Sequence, residues 1–388
     1  MSAIHAIRVP QAQLGAQESK TLDLAVVVPT LALVALGIAM VFSASIPLSA
    51  VEQSGDVYLY LKRELLFAGV GLLAMWGTSR IPMARVQRQA GTLLALAVSL
   101  LVLVLFVGVR VNGAMAWLPI PGTGLRFQPS EMAKLVLVIV AARYFAKFPR
   151  GLPNWRRALP PFIVLGGVCA LIAVEPDMGT AAVLGAAMLV YYHIAGAKLR
   201  HLLVPVVLSV AFCALMIQHH PYQLDRIHSY LFREEMALGG GYQATHALIA
   251  MGSGGLSGRG YCGSVEKYFD LPAAITDSIL AVIGEELGLI ATWCVLGLFA
   301  WLLCRGMTIA VNAPDRFSGL VAAGVTCLLG VQALVNIAAV TAAIPTTGVP
   351  LPFVSYGGSS LLFSLIGVGL LLNVSRRGRS ALSEPGTS

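Results

Sequence analysis

The chain has 388 residues, 57% of them hydrophobic and only 11% charged, with a mean hydropathy of +0.81. Soluble domains carry about a quarter charged residues, so this composition excludes an ordinary soluble enzyme and predicts an all-α, polytopic integral membrane protein. A net charge of +8 suits a basic face beside an anionic leaflet and does not require nucleic acid.

In chain order, residues 1–23 are polar and lack a signal-peptide pattern, which predicts a cytoplasmic tail followed by a retained first helix. Apolar runs long enough to span a bilayer, about 17 to 25 residues with tilt, lie near Leu24–Phe42, Leu59–Gly77, Ala90–Val109, Ser130–Phe145, Pro160–Val174, Gly179–Ala195, Leu202–Ile217, Ile279–Cys304, Gly319–Ile344 and Ser359–Val374. They predict about ten transmembrane helices in one domain over 24–374, with a second cytoplasmic tail over 375–388. Under an alternating topology, about 16 of the 26 basic residues, from Arg8 and Lys20 to Arg376, Arg377 and Arg379, fall on one side. That side should be cytoplasmic and should hold both termini.

The opposite compartment collects the longer connections: Ser43–Tyr58, Arg110–Pro129, Glu175–Met178, Gln218–Ala274 and Pro345–Gly358. Function is therefore expected to face outward. Tyr58 and Tyr60 read as interfacial anchors. Pro129 marks a helix start with Ser130 as its cap, and Glu131 is placed to neutralise Lys134 one turn into the apolar run. Glu175 and Asp177 share a short turn in which Asp177 can cap the next helix, and two acids so close call for a cation or a basic side chain. Gln332 and Asn336, four residues apart, read as interhelical glue. The uncharged segment from Pro345 to Gly358, broken by prolines and glycines, must be buried in protein or line a cavity.

The loop over 218–274, about 57 residues, is too long for a mere connection and is expected to be a lid or substrate platform. Asp225, Arg226, Arg233, Glu234 and Glu235 lie in it, Ala244–Met251 is weakly amphipathic, and a glycine-rich run follows. The run is neither GxGxxG after a strand nor a Walker A motif, so no nucleotide is expected. It leads into a helix read as beginning at Asp277, with Asp277, Ala281, Glu285 and Gly288 on one face. A carboxylate near mid-bilayer costs about 2.5 to 3.5 kcal/mol, which makes Asp277 a functional candidate. An N-cap at Thr276 or Asp277 is the equally weighted structural alternative. The six cysteines lack metal-type spacing and read as small buried hydrophobes, except Cys262 outside the runs. The histidines, including the pair His219 and His220, form no HExxH or His/Cys cluster, so no transition-metal site is expected.

Four segments in register, GAMAW…RFQPSEMAK, EPDMGT, GYQ…GSGG…G…GS..K…LP…TDSILAVIGEELG and PLPFVSYGGSS, resemble the shape, elongation, division and sporulation family of peptidoglycan polymerases, to which FtsW and RodA belong. The resemblance implies glycosyl transfer on the outer membrane face, joining lipid II into glycan strands and releasing undecaprenyl pyrophosphate. It places the essential aspartate at Asp277. Substrate-binding positions carried over are Gln128, Glu131, Lys134, Asp177, Ser264, Lys267, Ser355, Tyr356, Gly357 and Gly358, with Glu175, Glu285 and Glu286 supporting them from behind. A class B penicillin-binding protein, with other divisome or elongasome membrane proteins, is the implied partner. The chain departs from the family's usual LPExHTDF at Ala273, Ile275 and Ser278, carries Ala116 for the arginine before tryptophan, and has Thr347 where the division branch commonly has lysine.

Forming a β-1,4 bond from an α-linked lipid pyrophosphate inverts the donor carbon, so one base and one sink for negative charge are needed. Asp277 is assigned the base. Lys134, Lys267 or a divalent cation, Mg or Mn, held by carboxylates is assigned the sink, with no organic cofactor. Two rivals remain: a lipid II flippase lined by Asp177, Gln332 and Asn336, and a weakly active scaffold for the penicillin-binding protein. Glycine-aspartate before the second helix and the residues around Gln128 lean weakly to the division branch, but the sequence does not decide between division and elongation.

Overall fold

The computed structural model describes residues 22–51, 56–111, 114–219, 230 and 241–382. Its ten helices of 17 residues or more, counted among those residues, coincide with the ten apolar runs: α1 (Leu24–Val51), α2 (Leu59–Thr78), α3 (Met83–Val107), α4 (Pro129–Phe145), α5 (Trp155–Val174), α6 (Met178–Ala195), α7 (Leu199–His219), α10 (Ile279–Val311), α11 (Arg316–Val340) and α12 (Gly358–Leu382). Two shorter helices, α8 (Tyr242–Ser253) and α9 (Glu266–Phe269), precede α10. Seven of the ten, α1, α3, α5, α6, α10, α11 and α12, are both long and apolar enough to cross a membrane, and α7 is apolar over the part whose side chains are described, Leu199–Ser209. That is fewer than the ten spans expected: α4 stops at 17 residues, and α2 carries Lys62, Arg63 and Glu64 in its first turns.

Several local expectations change. The first helix continues through Ser43 to Val51 instead of ending near Phe42, so the first outer connection is shorter than read. Pro129 does open α4, as its missing N–H permits, but Gln128 occupies the N-cap position and Ser130 lies inside the first turn with a buried, unpartnered hydroxyl. The connection before α4 folds into a small antiparallel sheet, β1 (Val109–Val111), β2 (Ala114–Pro119) and β3 (Arg126–Phe127), in the order β1-β2-β3. Cys294 and Cys304 face outward, not inward; on an apolar outer helix face a thiol is solvated by lipid as readily as by core. Asp225, Arg226, Arg233, Glu234, Glu235 and His220 lie outside the described residues.

α11 forms the centre of the bundle, packing against α10, α6, α4 and α12, while α2 lies along α12 and α1 along α10. The basic helix ends meet at one end of the bundle. There Arg305 bonds Asp23 at 2.7 Å, Ser375 bonds the same carboxylate, and Arg316 donates to the Phe148 and Ala195 carbonyls. All the candidate site segments gather at the other end.

What seats the glycine-rich run is a break in α10. Gly288 takes φ 78°, ψ −176° inside the helix, a conformation only glycine adopts without strain. The interruption frees backbone groups that the run recovers: Arg259 and Gly260 N–H donate to the Glu285 and Glu286 carbonyls, and Leu289 and Ile290 N–H donate to the Gly255 and Leu256 carbonyls. The backbones approach so closely that a Cβ on Gly254 or Gly258 would collide with the Gly284 or Glu286 carbonyl.

Candidate active site

Asp277 is not on the helix. α10 begins at Ile279 with Ser278 at the N-cap and no side-chain capping bond, so the expected face shared by Asp277 and Glu285 is replaced by a turn, and the capping alternative is not realised either. The half-buried Asp277 carboxylate accepts from Gln243 Nε2 at 2.9 Å and from Thr276 Oγ1 at 3.0 Å. Gln243, in the first turn of α8, also donates to Ser278 Oγ at 3.1 Å. Behind, Asn336 Nδ2 holds the Asp277 carbonyl at 2.9 Å and the Val349 carbonyl at 2.8 Å. Asp277, Gln243, Asn336, Thr346 and Thr347 line a small open cleft. Two buried atoms on its wall, Asn336 Oδ1 and Thr347 Oγ1, have no hydrogen-bond partner among the described residues. Each costs about 1 to 3 kcal/mol while unmade.

The uncharged segment before α12 forms a wall of this cleft. Val349, Leu351, Phe353 and Val354 are buried, and Phe353 and Val354 pack tightly on Gly37. Ser355 Oγ accepts from Leu351 N–H, and Tyr356 N–H donates to the Ile275 carbonyl at 2.8 Å, two residues from Asp277. The Tyr356 ring meets Tyr60 edge-on, so Tyr60 supports this wall and is more than an interfacial anchor. Burial pushes the Tyr356 phenol up, and a hydrogen bond from Arg63 opposes it, with Arg126 near enough to add to the opposition. Gly358 opens α12 against the Phe67 ring.

The two lysines are committed elsewhere. Lys134 Nζ donates to Glu131 at 2.8 Å and to Gln332 Oε1 at 2.9 Å, all three buried; they line a separate small pocket with Ser364 and Phe363. Gln332 also holds the Pro350 carbonyl, so it and Asn336 anchor the cleft wall to α11 and are more than interhelical glue. Lys267 is fully buried against Glu286 at 2.6 Å and also donates to Ser43 Oγ. Glu286 further accepts from Ser43 Oγ and Cys262 N–H; Glu285 accepts from Ser264 Oγ at 2.6 Å, Val265 N–H and Arg259. The expectation of Lys267 and Ser264 as free substrate ligands thus gives way to a clasp that ties the loop to α1 and α10. Arg63 and Arg126, not singled out from the sequence, form no ion pair among the described residues. Gln243 was also missed; a glutamine directly after GGGY at a helix start was its only signal.

Asp177 caps α6 through Thr180 N–H and accepts from Gln128 Nε2 at 3.1 Å. Gly179 abuts the Thr347 carbonyl, which sets this pair beside the cleft. Glu175 is buried with neither oxygen hydrogen-bonded among the described residues, and burial, then the Asp177 charge, pushes its carboxyl up to about 8. Asp277, Asp177 and Glu175 do not converge as a three-ligand metal site. Among the described residues the one group of three such side chains close enough to share an ion is His246, Glu266 and Asp270, which the histidine spacing did not single out.

A family model described as a cell cycle protein, for FtsW, RodA and SpoVE, matches residues 24–380. The chain belongs to this family. Stage V sporulation protein E of Bacillus subtilis is 38% identical to it over 360 residues, covering 92% of this chain and 98% of that protein. A probable peptidoglycan glycosyltransferase FtsW of Trichlorobacter lovleyi is 40% identical over 356 residues, covering 91% and 93%. Among solved structures, a peptidoglycan synthase complex described as coordinating polymerization and crosslinking matches with TM-score 0.74 at 29% identity, over 92% of this chain and 99% of that one. The rod shape determining protein RodA of Thermus thermophilus matches with TM-score 0.67 at 31% identity, over 92% and 97%. This FtsW, RodA and SpoVE family member is a multi-pass, predominantly helical membrane protein.

Proposed function

We infer that the chain is a peptidoglycan glycosyltransferase that polymerises lipid II on the outer face of a bacterial cytoplasmic membrane, with both termini in the cytoplasm. The observation that carries this reading is the half-buried Asp277 carboxylate, held by Gln243 and Thr276 at the wall of an open cleft. Relatives at 38 to 40% identity over nine-tenths of the chain, several of them named as glycosyltransferases, support the reaction class.

In the mechanism we propose, Asp277 accepts the proton of the acceptor sugar's 4-hydroxyl as that oxygen attacks the donor anomeric carbon from the face opposite the leaving group. The bond to undecaprenyl pyrophosphate breaks with its electrons on the phosphate, and the configuration inverts. Gln243 and Thr276 fix the carboxylate's orientation through its two oxygens. For the negative charge on the pyrophosphate, Arg63 and Arg126 beside Tyr356 are better placed than Lys134 and Lys267, whose charges are already neutralised in burial. The acids around Asp277 do not converge into a ready-made cage for Mg or Mn, and no step is assigned to one. A class B penicillin-binding protein is the proposed partner, by likeness to the synthase complex, and the FtsW-named relatives favour a role in division.

The flippase alternative is less favoured because the Gln332 and Asn336 amides it would need are bound to backbone carbonyls and to Lys134. Purified protein supplied with lipid II should form glycan polymer, and Asp277→Asn should abolish it while leaving the protein folded. Normal polymer from Asp277→Asn would remove the base assignment, and translocation of lipid II without polymer would favour a carrier.

A further inference from the structure

One cluster of chemically potent side chains takes no part in the cleft. His246, one turn along α8 from Tyr242, places Nδ1 2.7 Å from Glu266 Oε2. On the same spot Tyr242 Oη donates to Asp270 Oδ1 at 2.5 Å, and the Tyr242 and His246 rings lie 4.1 Å apart. One nitrogen and two carboxylate oxygens, from His246, Glu266 and Asp270, all stand within 4.8 Å of one another, and all three residues are half-buried.

Among the described residues, no lysine or arginine balances the charge at this spot. Lys267 is the cation nearest in sequence to Glu266, and its ammonium is turned away into the buried pair with Glu286. Among the described residues neither Glu266 nor Asp270 pairs with a lysine or arginine; His246 is the one basic partner. Two like charges held together in half-burial disfavour folding unless a proton or a cation sits between them.

We propose that His246, Glu266 and Asp270, with the Tyr242 phenol or water as a fourth ligand, bind a divalent transition-metal ion of the zinc class. An imidazole nitrogen with two carboxylates is a donor set that such ions take up, whereas magnesium prefers oxygen donors and water. In a tetrahedral site, ligand atoms about 2.0 to 2.2 Å from the ion lie about 3.3 to 3.6 Å apart, so side-chain movements of about 1 to 1.5 Å would close the set. The ion would clamp the start of α8 to α9 and the residue that follows it. Gln243, adjacent to Tyr242, is the side chain that orients Asp277, so the site would act as a positioning clamp behind the cleft. It does not depend on the glycosyl-transfer reading.

The test uses tag-free full-length protein in detergent, stripped with chelator and titrated with Co²⁺ as a spectroscopic stand-in for zinc. The expected result is saturation at one equivalent, visible absorption bands of nitrogen and oxygen ligation, and displacement of Co²⁺ by Zn²⁺. His246→Ala and Glu266→Gln should each weaken Co²⁺ binding at least tenfold, Asp277→Asn should leave it unchanged, and Zn²⁺ should raise the melting temperature of the wild type but not of Glu266→Gln. Absence of saturable binding by the folded wild type overturns the proposal, as does Co²⁺ binding unaltered in Glu266→Gln. Should His246→Ala fail to fold, the near-isosteric Glu266→Gln decides by itself.

Discussion

Gln243 and Asp277, separated by 34 residues of glycine-rich chain, meet at 2.9 Å, and the same amide reaches Ser278 at the N-cap of α10. One side chain therefore fixes both the orientation of the proposed base and the start of the helix behind it. Replacing Gln243 by Ala removes a hydrogen bond to a charged group, about 1.5 to 3 kcal/mol. If that loss falls on the transition state, polymerisation slows by about 10- to 100-fold. A lipid II polymerisation assay at saturating substrate checks this, and an unchanged turnover number would show that Asp277 needs no such support.

Lys267 and Glu286 form the most deeply buried ion pair of the loop clasp. Breaking a buried pair from one side leaves an uncompensated charge and costs about 3 to 5 kcal/mol. Lys267→Met should therefore lower the thermal unfolding temperature markedly, and Lys267→Met combined with Glu286→Gln should recover part of the loss. If Lys267 instead serves substrate, the single variant would lose activity with its melting temperature intact.

Gly258 has φ 78° and lies against the Glu286 carbonyl. Gly258→Ala must relieve both the left-handed backbone, about 1 to 2 kcal/mol, and the collision. The run should lift from α10, with increased proteolysis near Arg259 and a lower melting temperature. Gly122→Ala is a useful contrast. It also has positive φ, but nothing stands near its added Cβ, so only the smaller backbone penalty applies.

Glu175 gives a pH dependence with a defined sign. Its carboxyl sits at about 8 in the folded protein against an ordinary value of 4.5, so the folded state holds the proton more tightly than the unfolded chain. Its contribution to stability is full below about pH 4.5 and is lost as pH rises towards 8. Glu175→Gln should flatten the melting temperature profile across that window and raise the melting temperature near pH 8. An unchanged profile would mean that Glu175 finds a partner in the membrane-embedded protein.

The ten apolar runs and the irregular wall before α12 were legible in the sequence because burial in lipid or in a helical bundle imposes a length and a composition on each segment by itself. Glu131 beside Lys134 was legible for the same local reason, since residues three apart share a helix face. The roles of Lys267, Ser264 and Gln243 were not. Which carboxylate a lysine neutralises, or which amide reaches an aspartate, depends on how separate helices pack, and no spacing along the chain encodes it. Asp277 shows the division most plainly. Its presence beside an apolar helix could be read from the order of residues, but its position in a turn outside that helix, facing a cleft, goes with the bonds that Asn336, Gln243 and the Tyr356 N–H make to that turn. All of these require segments distant in sequence to approach closely enough to exchange hydrogen bonds.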